Sequence, residues 1–126
     1  MYSTSLRKEL IAQHHMPNAS GREREVHSHR YTVEVTVRGS SLDHSGYLAD
    51  LDRIGEVLDG ILKLYSDRTL NDLPDFQEAA PSIENLAFAI WGRFVAADDW
   101  TSVSTAKVAV WESEAASASY EERVRD

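Results

Sequence analysis

The 126-residue sequence contains no cysteine, which excludes disulfide bonds, cysteine-ligated zinc and catalytic thiols. It also lacks any apolar run near the ~20 residues that a membrane-spanning helix needs. Residues 1–8 carry no apolar segment of the kind that indicates a signal peptide. Basic residues are scarce, 13 against 21 acidic ones for a net charge of −8, whereas nucleic-acid binding draws on clustered Lys and Arg. We therefore expect a cytoplasmic protein that binds neither membrane nor nucleic acid.

The length of the chain and its hydrophobic pattern predict one α+β domain over residues 1–126. No repeat, low-complexity stretch or Pro/Gly-rich linker divides the sequence. Alternation of apolar and polar residues with period two predicts strands at 4–16, 26–37, 106–112 and, more weakly, 117–124.

Two helices are predicted between the second and third strands. Asp50 is a good N-cap for a helix that runs to about Tyr65, and Ser82 is a good N-cap for the next one. Gly55 and Gly60 either weaken the first helix or permit close packing against it. The first helix carries an apolar stripe formed by Leu51, Ile54, Leu58, Ile61, Leu62 and Tyr65. The order β-β-α-α-β-β then predicts a four-stranded antiparallel sheet with both helices on one face.

Histidines concentrate near one end of the first two predicted strands. By strand alternation, His27 and His29 share a face with the apolar side chains that follow them. Such a pair is explained equally well by a shared metal ion and by two polar residues at a strand's solvent end. If the strands form a hairpin, His14 meets the pair, and three imidazoles with an open fourth position are typical of catalytic zinc. Otherwise His14 is a buried strand residue. His15 points to the opposite face and His44 lies in a loop, so neither is expected to bind.

Glu112 is a carboxylate at a position where the pattern calls for an apolar residue. It continues the face of Ala106, Val108 and Val110 at the end of the third predicted strand. A carboxylate held there can accept two hydrogen bonds from an amino-pyrimidinone ring. The alternative is a glutamate that has already reached solvent at the end of its strand.

Six segments have the residues and the order of one known family. They are Ala12-Gln13-His14-His15-Met16-Pro17 for its A-A-H-R-L-P, His27-Ser28-His29 for H-G-H, Gly46-Tyr47-Leu48-Ala49-Asp50-Leu51 for G-x-V-x-D-F, Leu70-Asn71-Asp72 for L-N-D, Pro81-Ser82-Ile83-Glu84-Asn85-Leu86-Ala87 for P-T-x-E-N-L-A, and Val108-Ala109-Val110-Trp111-Glu112 for V-x-V-x-E. On these segments the chain resembles the 6-pyruvoyl-tetrahydropterin synthase / 6-carboxytetrahydropterin synthase family over nearly its whole length.

The resemblance implies the tunnelling fold (T-fold), in which trimers close their sheets into a barrel and two trimers stack as a homo-hexamer. It implies a Zn²⁺ ion on His14, His27 and His29 that holds the side-chain hydroxyls of 7,8-dihydroneopterin triphosphate or a related pterin. It also implies that Glu112 anchors the pterin ring and that the region of Ser82 contributes to the pocket wall. The family's sites lie between subunits.

Two departures from the family concern the residues that move protons. Where the family has its base cysteine, counting back from H-x-H places Glu23, with Glu25 a second candidate because the loop is short. Part of the family carries Glu there and cleaves the side chain to give 6-hydroxymethyl-dihydropterin. Where the family has an Asp–His pair, this chain has Ser66 and Asp67. We therefore expect a lyase with Glu23 and Asp67 as altered catalytic residues. The alternatives are a zinc- and pterin-binding homologue without turnover, a purely structural zinc ion, and an ordinary solvated loop at 22–25.

Overall fold

The structure, a computed structural model, describes residues 1–125. Four strands form one antiparallel sheet in chain order: β1 (Tyr2–His14), β2 (His27–Gly39), β3 (Thr105–Trp111) and β4 (Ser117–Arg123). The two helices between β2 and β3 are α1 (Leu51–Leu62) and α2 (Ile83–Ala96). Single 3-10 turns occur at Gly21–Arg24, Leu70–Asp72 and Pro74–Phe76. The predicted α+β fold, a four-stranded antiparallel sheet with two helices, is confirmed.

The first strand differs from its predicted range at both ends. It begins at Tyr2 because the N-terminal residues pair with the end of β2, with Tyr2 opposite Gly39. It ends at His14 because the Met16 N–H donates to the Glu23 carbonyl (2.6 Å), which turns the chain away from the sheet. The charged loop that follows contains a single 3-10 turn that starts at Gly21, whose φ of 66° suits glycine.

Both helices begin where their capping residues predict. The Asp50 carboxylate accepts from Asp52 N (2.9 Å), and the Ser82 hydroxyl accepts from Asn85 N (3.1 Å). The predicted end of α1 at Tyr65 is wrong, since the helix ends at Leu62. The chain tightens there, because Tyr65 N donates to the carbonyl three residues back (3.1 Å) rather than four.

The hydrophobic core lies between the helices and one face of the sheet. Five of the six stripe residues of the predicted first helix are buried, whereas Leu51 is 47% exposed because it lies in the first turn, at the edge of the packed face. The β2 side chains that share the face of the histidine pair, Tyr31, Val33, Val35 and Val37, are fully buried, as alternation predicts. The largest fully buried side chains are Tyr31, Tyr65, Phe94, Ile54, Leu58, Leu70, Leu86, Ile90, Val33, Val35, Val37 and Val103.

The other face of the sheet carries polar side chains. Arg7 pairs with Glu34 (2.7 Å) and Arg30 with Glu9 (3.1 Å), each across the β1–β2 ladder. Arg7 also lies over the ring of Trp111, 4.9 Å from its centroid. Neither helix within residues 1–125 has the length and hydrophobicity of a membrane-spanning segment.

Two glycines test the packing in opposite directions. A Cβ added at Gly60 on α1 meets nothing within 4 Å, so Gly60→Ala should raise the free energy of unfolding by about 0.5–1 kcal/mol. A Cβ at Gly39 would overlap the Ser102 carbonyl and lie 2.7 Å from Leu48 Cδ1. Gly39→Ala should therefore lower the free energy of unfolding by about 1–3 kcal/mol. Urea unfolding followed by circular dichroism measures both. Equal effects of the two substitutions would contradict this packing.

Candidate metal centre

Strand pairing brings three histidines to one end of the β1–β2 hairpin. His14 is the last residue of β1 and faces His27, the first residue of β2, as a direct cross-strand pair. His29 lies two residues along β2 on the same face and is opposite Ala12. Their ring centroids are 4.6–4.8 Å apart. The predicted meeting of His14 with the H-x-H pair is therefore what the structure shows, while His15 and His44 lie outside this cluster.

The ring nitrogens of the cluster converge on one point. His27 Nε2 lies 3.0 Å from His14 Nε2 and 3.0 Å from His29 Nε2. One nitrogen from each ring lies within 4.8 Å of the other two. His14 is buried, with 3% of its surface exposed, whereas His27 and His29 are half-buried. The cluster is therefore closed on the side of the core and accessible on the side of β2.

Backbone carbonyls fix the tautomers of two of the rings. His14 Nδ1 lies 2.8 Å from the Pro81 carbonyl, and His27 Nδ1 lies 2.7 Å from the Glu25 carbonyl. A carbonyl oxygen only accepts, so each Nδ1 carries a proton and donates it. In the neutral rings both Nε2 atoms then present lone pairs to each other.

This donor set fits a divalent cation such as zinc. Facing lone pairs repel unless a cation lies between them, and metal-bound histidines usually donate their other N–H to a carbonyl or carboxylate. Burial, followed by the charges that His14 and His27 would carry, lowers the pKa of His29. Metal binding requires the neutral imidazole that these surroundings favour.

Two carboxylates lie beside the cluster. A Glu23 carboxylate oxygen is 3.8 Å from His27 Nε2, held there by the 3-10 turn between the two histidine strands. Glu112 directly follows β3 and is exposed. Its negative charge acts to raise the pKa of His29, against the lowering caused by burial and by the other two histidines. Burial, followed by the charges of Glu112 and Glu23, raises the pKa of the buried Tyr31 phenol. The structure thus brings Glu23 and Glu112 to the side of the sheet that holds the histidines.

The other predicted site residues occupy different positions. Ser82 follows Pro81, whose carbonyl orients His14, but the Ser82 hydroxyl accepts from a backbone N–H as a helix cap. Glu25 contributes its backbone carbonyl to His27. Asp67 has a left-handed φ of 58° and donates its backbone N–H to the Ile11 carbonyl (2.8 Å). Its side chain is exposed, and no hydrogen bond or ion pair joins it to a histidine within residues 1–125.

Sequence reasoning assigned no role to several groups that surround the histidines. Every residue has a backbone carbonyl, so the sequence alone does not show that those of Pro81 and Glu25 contact the histidines. The Tyr31 hydroxyl lies 3.4 Å from His14 Nδ1, a contact that follows from its shared strand face. Asn71, in the Leu70-Asn71-Asp72 segment, hydrogen-bonds the backbone of His15.

The four-stranded sheet, its two helices and the histidines at the end of the first hairpin define a protein of the tunnelling-fold class. The family model described as 6-pyruvoyl tetrahydropterin synthase matches residues 3–123. The chain belongs to this family.

Three characterised relatives show partial similarity. The 6-carboxy-5,6,7,8-tetrahydropterin synthase of Bacillus subtilis is 35% identical over a 97-residue alignment that covers 71% of this chain and 64% of that protein. The dihydroneopterin monophosphate aldolase of Pyrococcus furiosus is 35% identical over 69 residues, 55% of each chain. The 6-pyruvoyl tetrahydrobiopterin synthase of Poecilia reticulata is 33% identical over a 73-residue alignment that covers 56% of this chain and 50% of that one. The chain thus spans between half and two thirds of the length of these relatives.

Solved structures share the fold over almost the whole chain. The Caenorhabditis elegans 6-pyruvoyl tetrahydropterin synthase superposes with a TM-score of 0.79 at 19% identity, covering 96% of this chain and 95% of that one. A Plasmodium vivax 6-pyruvoyltetrahydropterin synthase, in the form in which a catalytic glutamate is replaced by alanine, gives 0.76 at 16% identity, covering 98% and 99%. At these identities the likeness shows the fold.

Replacement of Ser82 tests its capping role. Ser82→Ala should lower the free energy of unfolding by about 1 kcal/mol, because the Asn85 N–H loses its acceptor. Ser82→Asp should retain most of the stability, since aspartate also caps helices well. Urea unfolding measures both variants. Unchanged stability in Ser82→Ala would show that the hydroxyl does not serve as a cap.

Proposed function

We propose that this chain is a zinc-dependent lyase that acts on 7,8-dihydroneopterin triphosphate or a related pterin. The observation that carries the proposal is the convergence of three imidazoles beside the Glu23 carboxylate, with His27 Nε2 3.0 Å from both His14 Nε2 and His29 Nε2. Membership of the 6-pyruvoyl tetrahydropterin synthase family supports the pterin as substrate class. The names of the Bacillus subtilis and Pyrococcus furiosus relatives, a synthase and an aldolase, support chemistry on the pterin side chain.

His14, His27 and His29 would hold the zinc ion. When bound, zinc polarises oxygens that coordinate it and lowers the pKa of a bound hydroxyl. The side-chain hydroxyls of a dihydroneopterin are oxygens of this kind. The three histidines leave the accessible side of the cluster for the substrate, because only His14 is buried.

Glu23 is the proposed base. Its carboxylate, 3.8 Å from His27 Nε2, lies within reach of a substrate held at the histidines. A carboxylate in this place can accept a proton from the substrate side chain. The Plasmodium vivax relative, in which a glutamate is a catalytic residue, supports a glutamate in this role. Glu25 is the less favoured candidate because its observed contact with the site is through its backbone carbonyl.

Glu112 is the proposed anchor of the pterin ring. It lies at the end of β3 on the side of the histidines, and its carboxylate is exposed and free to accept two hydrogen bonds from a pterin edge. Ser82 would contribute to the wall of the same pocket through its position beside Pro81. A cytoplasmic location is part of the proposal.

The proposed assembly is a homo-hexamer of two stacked trimers. β1 and β4 are the outer strands of the sheet. Apart from the end of β1 from Ile11 onward, which pairs with the segment after α1, their outer edges are where a neighbouring sheet can continue. Closure of three sheets would leave the polar face, with its Arg7–Glu34 and Arg30–Glu9 pairs, inside the ring. Activity measurements therefore need the assembled protein, confirmed by sedimentation.

A pterin-binding protein without turnover is the second candidate function. The observation that favours it is Asp67, which stands where the family has a proton-relaying histidine but has no contact with the histidine cluster in residues 1–125. Any catalytic role of Asp67 would therefore not involve direct contact with the histidines of its own chain. Binding and turnover must therefore be measured separately.

Turnover by charge-neutral variants separates these two functions. The zinc-loaded hexamer, given 7,8-dihydroneopterin triphosphate, should release a pterin with an altered side chain, detected by chromatography with fluorescence. Glu23→Gln should lower kcat by about 10²–10⁴, because it removes general-base catalysis. Glu25→Gln should lower kcat far less than Glu23→Gln does. Glu56→Gln, an exposed glutamate on α1, serves as the matched control.

The same samples distinguish the outcomes. Equal activity of Glu23→Gln and the control would refute Glu23 as the base, and a selective loss in Glu25→Gln would assign that role to Glu25. Tight pterin binding that disappears in Glu112→Ala, without product from the parent protein, would favour the binding protein. The absence of both binding and product in a zinc-loaded hexamer would refute the proposed function.

A further inference from the structure

Beyond His14 the backbone no longer pairs with β2, and the Met16 N–H donates instead to the Glu23 carbonyl in the loop (2.6 Å). The last pair of the β1–β2 ladder is His14 with His27, after which the two strands diverge into the loop that contains Glu23. Residues at the frayed end of a strand are normally the most mobile part of it. A metal ligand at this place therefore needs support from the opposite edge of β1.

That support comes from the segment that follows α1. The Asp67 N–H donates to the Ile11 carbonyl (2.8 Å), and the Gln13 N–H donates to the Arg68 carbonyl (2.9 Å). Gln13 and Thr69 form a parallel bridge. The left-handed φ of Asp67 turns the chain into this position, a conformation that aspartate adopts more readily than most residues.

The side chain of Asn71 extends this pairing by one more step. Asn71 Oδ1 accepts from His15 N (3.0 Å), and Asn71 Nδ2 donates to the His15 carbonyl (2.9 Å). A primary amide offers one acceptor and one donor side by side, as the C=O and N–H of a single strand residue do at the edge of a sheet. Ile11, Gln13 and His15 are alternate residues of one edge, so the amide occupies the place of the next residue of a neighbouring strand.

Pairing on both sides of His14 restrains its backbone. The Gln13 N–H is held by Arg68 and both polar groups of His15 are held by Asn71. With its neighbours held, His14 has little freedom in φ and ψ, and the direction of its Cα–Cβ bond is set. The imidazole is then locked by its Nδ1–H bond to the Pro81 carbonyl.

We propose that Asn71 is a positioning residue for the metal site, whose side-chain amide holds the His15 peptide and thereby places His14 Nε2 for zinc. The inference rests on the proposed function, in which His14 binds zinc. Groups that orient a ligand from behind typically contribute about 10–100-fold to metal affinity. Asn71 contacts neither zinc nor substrate in this account.

The test measures zinc affinity of the intact protein by competition with a chromophoric chelator. Asn71→Ala should weaken zinc binding about 10–100-fold. Asn71→Asp should give an intermediate loss, because its carboxylate still accepts from the His15 N–H but cannot donate to the His15 carbonyl. Cobalt(II) loaded in place of zinc should show an altered visible absorption spectrum in Asn71→Ala, which reports a changed ligand arrangement.

Asp43→Ala is the matched control. The Asp43 carboxylate also accepts two backbone N–H bonds, from Ser45 (2.8 Å) and Tyr47 (3.0 Å), but it lies beyond the opposite end of β2. Its loss should lower thermal stability with zinc affinity and cobalt spectrum unchanged. In a His14→Ala background, Asn71→Ala should have little further effect on metal affinity, because the two residues act through one ligand.

The outcomes separate this inference from the proposed function. Zinc binding by the parent protein with unchanged affinity and cobalt spectrum in Asn71→Ala would overturn the role of Asn71 alone. The role of Asn71 is equally overturned if Asn71→Ala loses stability as Asp43→Ala does and binds zinc normally. Failure of the parent protein to bind zinc would overturn the proposed function and this inference together.

Discussion

The register of the β1–β2 hairpin is the constraint on which the rest of the structure depends. It places His14 opposite His27 and Ala12 opposite His29, so that the three rings share one end and one face of the sheet. A slip of one residue would turn His14 to the other face and bring the buried side chains of β1 into solvent. Burial of Leu10, Ala12 and their β2 neighbours therefore specifies the histidine cluster as strongly as it specifies the core.

Around this register, separate parts of the chain orient the rings. Pro81, two residues before α2, supplies the carbonyl that holds His14, and the loop between the strands supplies the carbonyl that holds His27. The segment after α1 pairs with the outer edge of β1. Several distant parts of the chain thus hold the three histidines in place. In metal centres, groups that hydrogen-bond the ligating histidines commonly fix the tautomer and the orientation of the rings in this way. Glu23 and Glu112 add negative charge beside the rings without entering this framework.

Features with a local cause could be predicted from the sequence, and features that depend on distant backbone could not. Alternation predicted β2 and the shared face of its histidines, and the capping residues Asp50 and Ser82 predicted both helix starts. The end of α1 was missed because the last turn tightens to pack Tyr65, which no cap signals. Asn71 was recognised only as part of a motif. Its amide hydrogen-bonds the backbone of a residue 56 positions away, and no periodicity in the sequence indicates such a contact. Asp67 entered as a substitute for a histidine, whereas its observed contact is through the backbone.

The central claim is that His14, His27 and His29 together bind one zinc ion, and X-ray absorption at the zinc K-edge tests it most directly. The protein reconstituted with one equivalent of zinc should show three imidazole ligands with Zn–N distances of about 2.0–2.1 Å and one oxygen at the remaining position. A spectrum with fewer than three imidazoles, or one dominated by carboxylate oxygens, would contradict the claim.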